Sequence, residues 1–172
     1  MVTGRRAQLV LNEKWAKFVQ AGVSIIASSC DVQNIPALAR ALGCRVSENR
    51  QKVTIFVSAT QAQQLLHAIR ATGSLAAVFS QPSTHISVQL KGNKAVAAPG
   101  SAADVQVTRQ YVDAFVKDVI QLGYPEELIR TLLSSDPSDL VAITFNPTAA
   151  FLQTPGPRAG EPLGSSQNEF QS

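Results

Sequence analysis

Residues 52–98 read KVTIFVSATQAQQLLHAIRATGSLAAVFSQPSTHISVQLKGNKAVAA, and this stretch decides the fold class. Apolar and polar residues alternate over 52–58, which predicts a strand, and the spacing then becomes that of a helix that Gly73 ends. Strands are predicted at 75–79 and 85–91. Gly92 and Asn93 are predicted to form a turn that leads into a strand at 94–98, which would complete a hairpin. Strands joined by hairpins around an inserted helix indicate an α+β fold with a mainly antiparallel sheet.

The segment before this stretch contains a short helix, a strand and one ambiguous run. Asn12 is a suitable N-cap for the helix, and an apolar run at 23–27 predicts the strand. Residues 36–46 fit a helix as well as a strand. We favour one continuous strand, because a short polar connection to the strand at 52–58 would complete a hairpin.

The segment after this stretch predicts two helices and extended chain, with helices over 104–122 and from Pro125, and strands over 140–145 and 148–153. The last residues are rich in Pro, Gly, Ser and Gln and contain too few apolar groups to fold alone. We therefore expect one domain over 1–154 and a tail over 155–172.

The composition predicts self-association. Charged residues make up 16% of the 172-residue chain and hydrophobic residues 45%, whereas soluble domains carry ~25% charged residues. Part of the apolar surface is therefore expected to face a second copy. The net charge is only +3, and no run of Lys or Arg exceeds the pair Arg5-Arg6, so we expect no nucleic-acid or membrane partner. No signal peptide or ~18-residue apolar run is visible, which predicts a cytoplasmic protein.

The usual catalytic residue sets cannot be recognised in this sequence. His67 and His85 have no neighbour at metal-ligand spacing, so structural or surface roles are expected for both. Cys30 and Cys44 are expected to be small buried side chains in a reducing compartment. If the chain is an enzyme, a bound cofactor is therefore expected to supply the reactivity.

The junction at residues 58–64 is a candidate anion site. A strand ends at Ser58, and a helix is expected to begin with Thr60 as its N-cap. The free N–H groups of a helix start, together with the two hydroxyl groups, would suit a phosphate, and the first turn adds Gln61, Gln63 and Gln64. The alternative is an ordinary helix cap without a ligand.

Two other strands offer positions for a flat ring. In the first strand a small face would let a ring approach closely, unless it packs against a helix, and it consists of Ala37, Ala39, Ala41 and Gly43. Arg40 and Arg45 lie beside it and could pair with a phosphate or a carbonyl edge. In the strand 85–91, Ser87 and Gln89 could hydrogen-bond a heterocycle, although such a face is often only wet sheet surface.

The order and spacing of these segments resemble a known family. Residues 39–45, 53–58 and 85–92 together look like the pyridoxamine 5′-phosphate oxidase-related, FMN-binding split-barrel family. The endings 142–147 and 151–157 are similar to the C-terminal ending of one branch of that family. The resemblance extends over residues 12 to 160.

The resemblance implies an antiparallel split β-barrel with peripheral helices, and a homodimer that holds FMN at the subunit interface. It also implies that the strand around Arg40 borders the flavin, that Ser58 lies beside the phosphate and that Gln89 approaches the ring. The full set expected to bind the cofactor is Arg40, Ala41, Leu42, Gly43, Arg45, Val57, Ser58, Thr60, Gln61, Gln63, Gln64, Ser87, Gln89 and Lys91.

Two departures from the family pattern refine the functional hypothesis. Glutamines stand where family oxidases have an Arg-Lys pair for the phosphate, so Arg40, Arg45 or Lys91 would have to compensate. The C-terminal Arg and His elements of true pyridoxamine phosphate oxidases are missing, and only Arg158 follows Pro155. We therefore expect an FMN-dependent oxidoreductase other than a true pyridoxamine phosphate oxidase. The alternatives are a non-catalytic flavin- or haem-binding protein on the same barrel and a dimeric scaffold with an empty cleft.

Overall fold

Seven antiparallel strands form one sheet in the computed structural model, which describes residues 9–163. The helices are α1 (Glu13–Gln20), α2 (Gln63–Thr72), α3 (Ala102–Ile120) and α4 (Glu126–Leu132), and a 3-10 turn spans Pro137–Asp139. The strands are β1 (Ser24–Cys30), β2 (Pro36–Arg40), β3 (Cys44–Val46), β4 (Val53–Ser58), β5 (Leu75–Ser80), β6 (Ser87–Pro99) and β7 (Leu140–Leu152). Their order in the sheet is β2-β1-β5-β6-β7-β4-β3, so the predicted α+β class with an antiparallel sheet is confirmed.

The sheet curls because residues 41–43 join its two edges. The N–H of Ala41 donates to the carbonyl of Ile25 in β1 at 2.9 Å, and the N–H of Leu42 donates to Phe56 in β4 at 2.7 Å. The prediction of one continuous strand over 36–46 is wrong, because Gly43 adopts a φ of 147° and redirects the chain between β2 and β3. The predicted hairpin is confirmed for its second half, in which β3 pairs with β4.

The core fills the inside of this curled sheet. Phe56, Phe79 and Phe145 are fully buried there, and all six residues of β4 are buried on both of its faces. Helix α1 begins as predicted, with the N–H of Trp15 donating to the side-chain oxygen of Asn12 at 2.9 Å. The interior is therefore packed with apolar side chains, and a ligand site has to be sought on the surface of the sheet.

The predicted hairpin at Gly92 and Asn93 is wrong, because β6 continues as one strand along the whole of β7. A Cβ atom on Gly92 would lie 2.4 Å from the carbonyl oxygen of Asn146 and 2.4 Å from the ring of Phe145. The glycine therefore permits a close approach of β7 rather than a turn. Register shifts on either side of it let the two 13-residue strands bend with the barrel.

The ends of the helices differ slightly from the predictions. Helix α2 ends at Gly73 with a φ of 64°, as expected, but its N-cap is Ala62 rather than Thr60, and no side chain caps it. Helix α3 begins with a capping box of Ser101 and Asp104. No helix among residues 9–163 is long and apolar enough to cross a membrane.

The first part of the expected tail is attached to the barrel. The N–H of Leu152 donates to the carbonyl of Glu161 at 2.9 Å, and the N–H of Leu163 donates to Ala150 at 2.9 Å. Residues 155–163 therefore fold back along the end of β7, where backbone hydrogen bonds supply the order that their composition does not. The remaining tail residues lie outside the described part of the chain.

Candidate functional site

The outward face of five neighbouring strands carries half-exposed side chains at matching positions. Directly opposite residues in an antiparallel pair point to the same side of the sheet. The strand registers therefore place one row of side chains across β2, β1, β5, β6 and β7, consisting of Arg40, Ile26, Val78, Gln89 and Phe151. We call this surface the open face.

The rows on either side of this central row complete the open face. One contains Leu38, Ser28, Ala76, Lys91 and Ala149, and the other contains Ser24, Ser80 and Ser87. Most of these side chains are small, and the alternate residues of the same strands, such as Ile25 and Leu90, are fully buried in the core. The flanking rows therefore present mainly short apolar and hydroxyl side chains on either side of the larger central row, which suits contact with a planar ring.

Two cations and several polar groups border the open face. A guanidinium nitrogen of Arg40 donates to the hydroxyl of Ser24 at 3.1 Å, and the hydroxyl of Ser87 donates to that of Ser80 at 2.8 Å. The ammonium of Lys91 lies 5.2 Å from the centre of the Phe151 ring. Strands β2 and β6 are three strand spacings apart, about 14 Å, so Arg40 and Gln89 border opposite sides of the space between them.

The junction between β4 and α2 has a different character, because a carboxylate of the chain occupies it. The hydroxyl of Ser58 donates to Asp139, the last residue of the 3-10 turn. The hydroxyl and the N–H of Thr60 donate to the same carboxylate at 2.9 Å and 3.1 Å. The N–H of Gln61 donates to the hydroxyl of Ser58 at 3.2 Å. We call these four residues the Asp139 corner.

The electrostatics of the Asp139 corner oppose the binding of an anion. Hydrogen bonds from Ser58 and then Thr60 hold the pKa of Asp139 below its ordinary value, so the carboxylate is ionised at neutral pH. Asp136 lines the same surface groove and adds a second carboxylate. The donors that the sequence assigns to a phosphate are therefore used internally, and the residues of the corner do not fit a phosphate group.

The remaining predicted site residues lie away from the open face or are engaged elsewhere. Arg45 pairs with the buried carboxylate of Asp104 at 2.7 Å, and its guanidinium lies 5.7 Å from the centre of the Phe56 ring. Four residues are buried, three in the link between β2 and β3 and one in β4, namely Ala41, Leu42, Gly43 and Val57. Gln63 and Gln64 are exposed on α2. Of the predicted set, only Arg40, Ser87, Gln89 and Lys91 come together on the open face.

The small face of the 36–46 segment packs inward, which is the alternative that the sequence left open. Ala37 and Ala41 are buried in the core, whereas Leu38 is 67% exposed. The reason is that β2 packs its alanine side against the barrel and α2, so its larger side chain points outward. The close approach that small residues permit is used for internal packing.

Several residues of the two regions were not predicted from the sequence. Ile26, Val78 and Phe151 belong to the open face because of sheet register, which fixes cross-strand neighbours only once the strand order is known. Asp139 reaches Ser58 across 81 positions of sequence.

The other candidate groups do not form a reactive centre. His67 and His85 are exposed, and within residues 9–163 no group of three His, Cys, Asp or Glu side chains could hold a metal ion. Burial raises the pKa of the Cys44 thiol, which keeps it protonated. Tyr111 packs against Gly43, and its hydroxyl is the one buried side-chain polar atom without a hydrogen-bond partner in the described part of the chain.

Comparison with known proteins identifies the fold. No family model and no curated protein matches the sequence. An F420 reductase structure superposes with a TM-score of 0.54 at 13% identity, covering 81% of this chain and 98% of its own. HupZ from Group A Streptococcus gives 0.53 at 12% identity, with coverages of 88% and 100%.

A putative pyridoxamine 5′-phosphate oxidase from Lactobacillus delbrueckii gives a TM-score of 0.50 at 10% identity, covering 87% of this chain and 97% of its own. Identities this low establish architecture rather than activity. The curled antiparallel sheet, its strand order and its peripheral helices agree with that architecture. The chain therefore has the split-barrel fold of the pyridoxamine 5′-phosphate oxidase-like proteins, as its sequence resemblance implied.

Proposed function

We propose that this chain is a flavin-binding protein in which two copies hold the ring against their open faces, and that it acts as a flavin-dependent oxidoreductase. The observation that carries the proposal is the open face itself. The strand registers place a row of half-exposed side chains across five neighbouring strands, with Arg40 on the edge strand β2 and Gln89 on β6. The low charge content of the sequence supports a second copy against this surface.

The side chains of the open face suit different parts of such a ligand. Ile26, Val78 and Phe151 offer apolar contact for a ring, and Gln89 offers both a hydrogen-bond donor and an acceptor for its edge. Because the Asp139 corner does not fit a phosphate, the cations for the phosphate of FMN would be Arg40 or Lys91. When bound, a flavin supplies hydride and electron transfer, and the chain supplies shape and hydrogen bonds.

The names of two structural neighbours support redox chemistry on this fold. One is described as an F420 reductase and another as a putative pyridoxamine 5′-phosphate oxidase. Both descriptions belong to those proteins. Because a shared fold does not establish a shared activity, they support redox chemistry in this chain as a proposal.

The proposal is tested by titrating the full chain into riboflavin and into FMN and following flavin fluorescence. We expect saturable quenching, and we expect reduction of the bound flavin by NADH or NADPH to remove its absorbance band near ~450 nm. The absence of quenching by either flavin at saturation would overturn the proposal.

The alternative proposal is a protein of the same fold that binds a flat ring without turnover. The observation that favours it is the lack of cations at the Asp139 corner, where family oxidases have an Arg-Lys pair. Tight flavin binding without reduction by either nicotinamide, or tight binding of haemin with no flavin binding, would decide for this alternative.

A further inference from the structure

We propose that the carboxylate of Asp139 takes the place of a ligand phosphate at the junction of β4 and α2, so that this chain binds its ligand without an anion at that corner. The inference does not rest on the identity of the ring. It concerns four residues of the described chain and can be tested with inorganic phosphate alone.

The hydrogen-bond geometry of the corner is that of an occupied anion site. Two hydroxyl groups and one backbone N–H, from Ser58 and Thr60, converge on the two oxygens of a single carboxylate. These donors are of the types that bind a phosphate at a strand-to-helix junction. Asp139 thus satisfies the same donors with a charge of the same sign.

The backbone on both sides fixes Asp139 in this position. Its carbonyl accepts from the N–H of Ala59 at 2.8 Å, and its own N–H donates to Asp136 at 2.9 Å. The next residue, Leu140, is the first of β7 and pairs with Ser58 in the sheet. The backbone that carries this carboxylate is therefore held by the fold at the start of a core strand.

The side chain of Asp136 reinforces the turn that presents Asp139. Its carboxylate accepts from the N–H of Ser138 at 2.8 Å and from the hydroxyl of the same residue at 2.7 Å. Asp136 also lines the groove beside Ser58 and Thr60. A phosphate that entered the corner would lie in the same groove as the carboxylates of Asp136 and Asp139, and these like charges would repel it.

The test is a titration of inorganic phosphate into the full chain, followed by the line width of the ³¹P signal. We expect no saturable binding to the wild-type protein and at least a tenfold gain in affinity for Asp139→Ala, in which the donors are released. Glu48→Ala is the matched control, because it removes one exposed carboxylate and leaves the corner intact. It should bind phosphate as weakly as the wild type.

Two further variants make the outcome decisive. Asp139→Ser empties most of the same volume and substitutes for Asp139→Ala if that protein does not fold, as judged by its melting transition. Adding Ser58→Ala to either variant should abolish the gained affinity, which shows that phosphate binds at this corner.

Either of two results would overturn the inference. One is saturable phosphate binding to the wild type that Ser58→Ala weakens, because the ligand would then displace Asp139. The other is a folded Asp139→Ala or Asp139→Ser protein that binds phosphate no better than the wild type. Neither result depends on whether the protein binds a flavin, so the failure of this inference and that of the proposed function are distinguishable.

Discussion

The open face and the Asp139 corner both carry hydroxyl groups, but they differ in what those groups bind. On the open face, Ser80 and Ser87 bind each other beside half-exposed apolar residues, and the surface remains available. At the corner, Ser58 and Thr60 donate to a charged oxygen of the chain itself. The same residue types therefore lie beside a half-exposed sheet surface in one region and bind an internal carboxylate in the other.

This difference shows that the availability of a donor is a property of the fold. A hydroxyl group donates to an acceptor that the fold places within hydrogen-bond distance. Binding such an internal acceptor avoids the loss of association entropy that binding a separate ligand would cost. The open face stays half-exposed because the alternate residues of the same strands are the ones buried in the core.

The largest effect is expected from a charge in the middle of the open face. Val78→Asp would place a carboxylate on the surface that, in the proposed dimer, faces the ring and the second copy, where desolvation is costly. We expect the dissociation constant of the dimer to rise about a hundredfold and flavin binding to be lost. The melting temperature should stay close to that of the wild type. Sedimentation velocity and flavin fluorescence measure the two losses.

The matched control for Val78→Asp is Leu128→Asp. Leu128 is 57% exposed on α4, away from the open face, and should tolerate the charge without change in either measurement. A Val78→Asp protein that still dimerises and binds flavin would show that the open face is not the interface.

A smaller effect is expected from Gln89→Ala. Removing the amide deletes one neutral hydrogen bond to the ring, which corresponds to about tenfold weaker flavin binding. Gln63→Ala is the control, because Gln63 is exposed on α2 beside the Asp139 corner. Equal losses in the two variants, measured by fluorescence titration, would contradict the separation of the two regions.

The ionisation of Asp139 at the corner should make the stability of the fold depend on pH. The pKa of Asp139 is lower in the folded chain, so the folded state binds fewer protons and loses stability as pH falls through the acid range. Asp139→Asn lacks this ionisation. We expect the wild type to melt at a higher temperature at pH 7 and the difference to shrink near pH ~3, below the ordinary pKa of Asp.

Thermal melts of both proteins across this range check the prediction. Asp104, whose pKa is also lowered, is common to both proteins and cancels in the comparison, whereas the charge of Asp139 acts on the pKa of Asp136, so that carboxylate contributes to the measured difference. A temperature difference that does not change with pH would mean that the charge of Asp139 plays no part at the corner.

The smallest effect is expected at Tyr111, which represents a third situation. Its hydroxyl is buried but has no hydrogen-bond partner within residues 9–163. Removing an unsatisfied buried hydroxyl should leave the free energy of unfolding unchanged within about 0.5 kcal/mol or increase it. Denaturant unfolding of Tyr111→Phe measures this, with exposed Tyr124→Phe as the control, and a clear loss of stability would disprove it.

Much of the fold was predictable because local sequence patterns indicate where its helices and strands begin and end. The Asn12 cap, the Gly73 helix end and the apolar, β-branched pattern of β4 each have a local physical cause, as does the apolar run of β5. Gly43 and Gly92 misled the prediction, since a glycine marks an unusual conformation or a close approach without saying which. At Gly43 the chain is redirected, and at Gly92 another strand approaches.

The candidate site was predictable only in part. Alternation within β6 identified Ser87, Gln89 and Lys91 as one face, because that relation lies within a single strand. The partners Ile26 and Val78, and the internal acceptor Asp139, depend on contacts between distant segments. Such contacts follow from strand order and register, which a local pattern does not contain.

The central claim is that two copies of the chain hold a flavin ring between their open faces. Sedimentation equilibrium of the full chain with riboflavin, monitored both at the protein band and near ~450 nm, tests it most directly. We expect the flavin absorbance to sediment with a species of twice the chain mass. Flavin absorbance that remains unsedimented, or that sediments with a species of the single-chain mass, would contradict it.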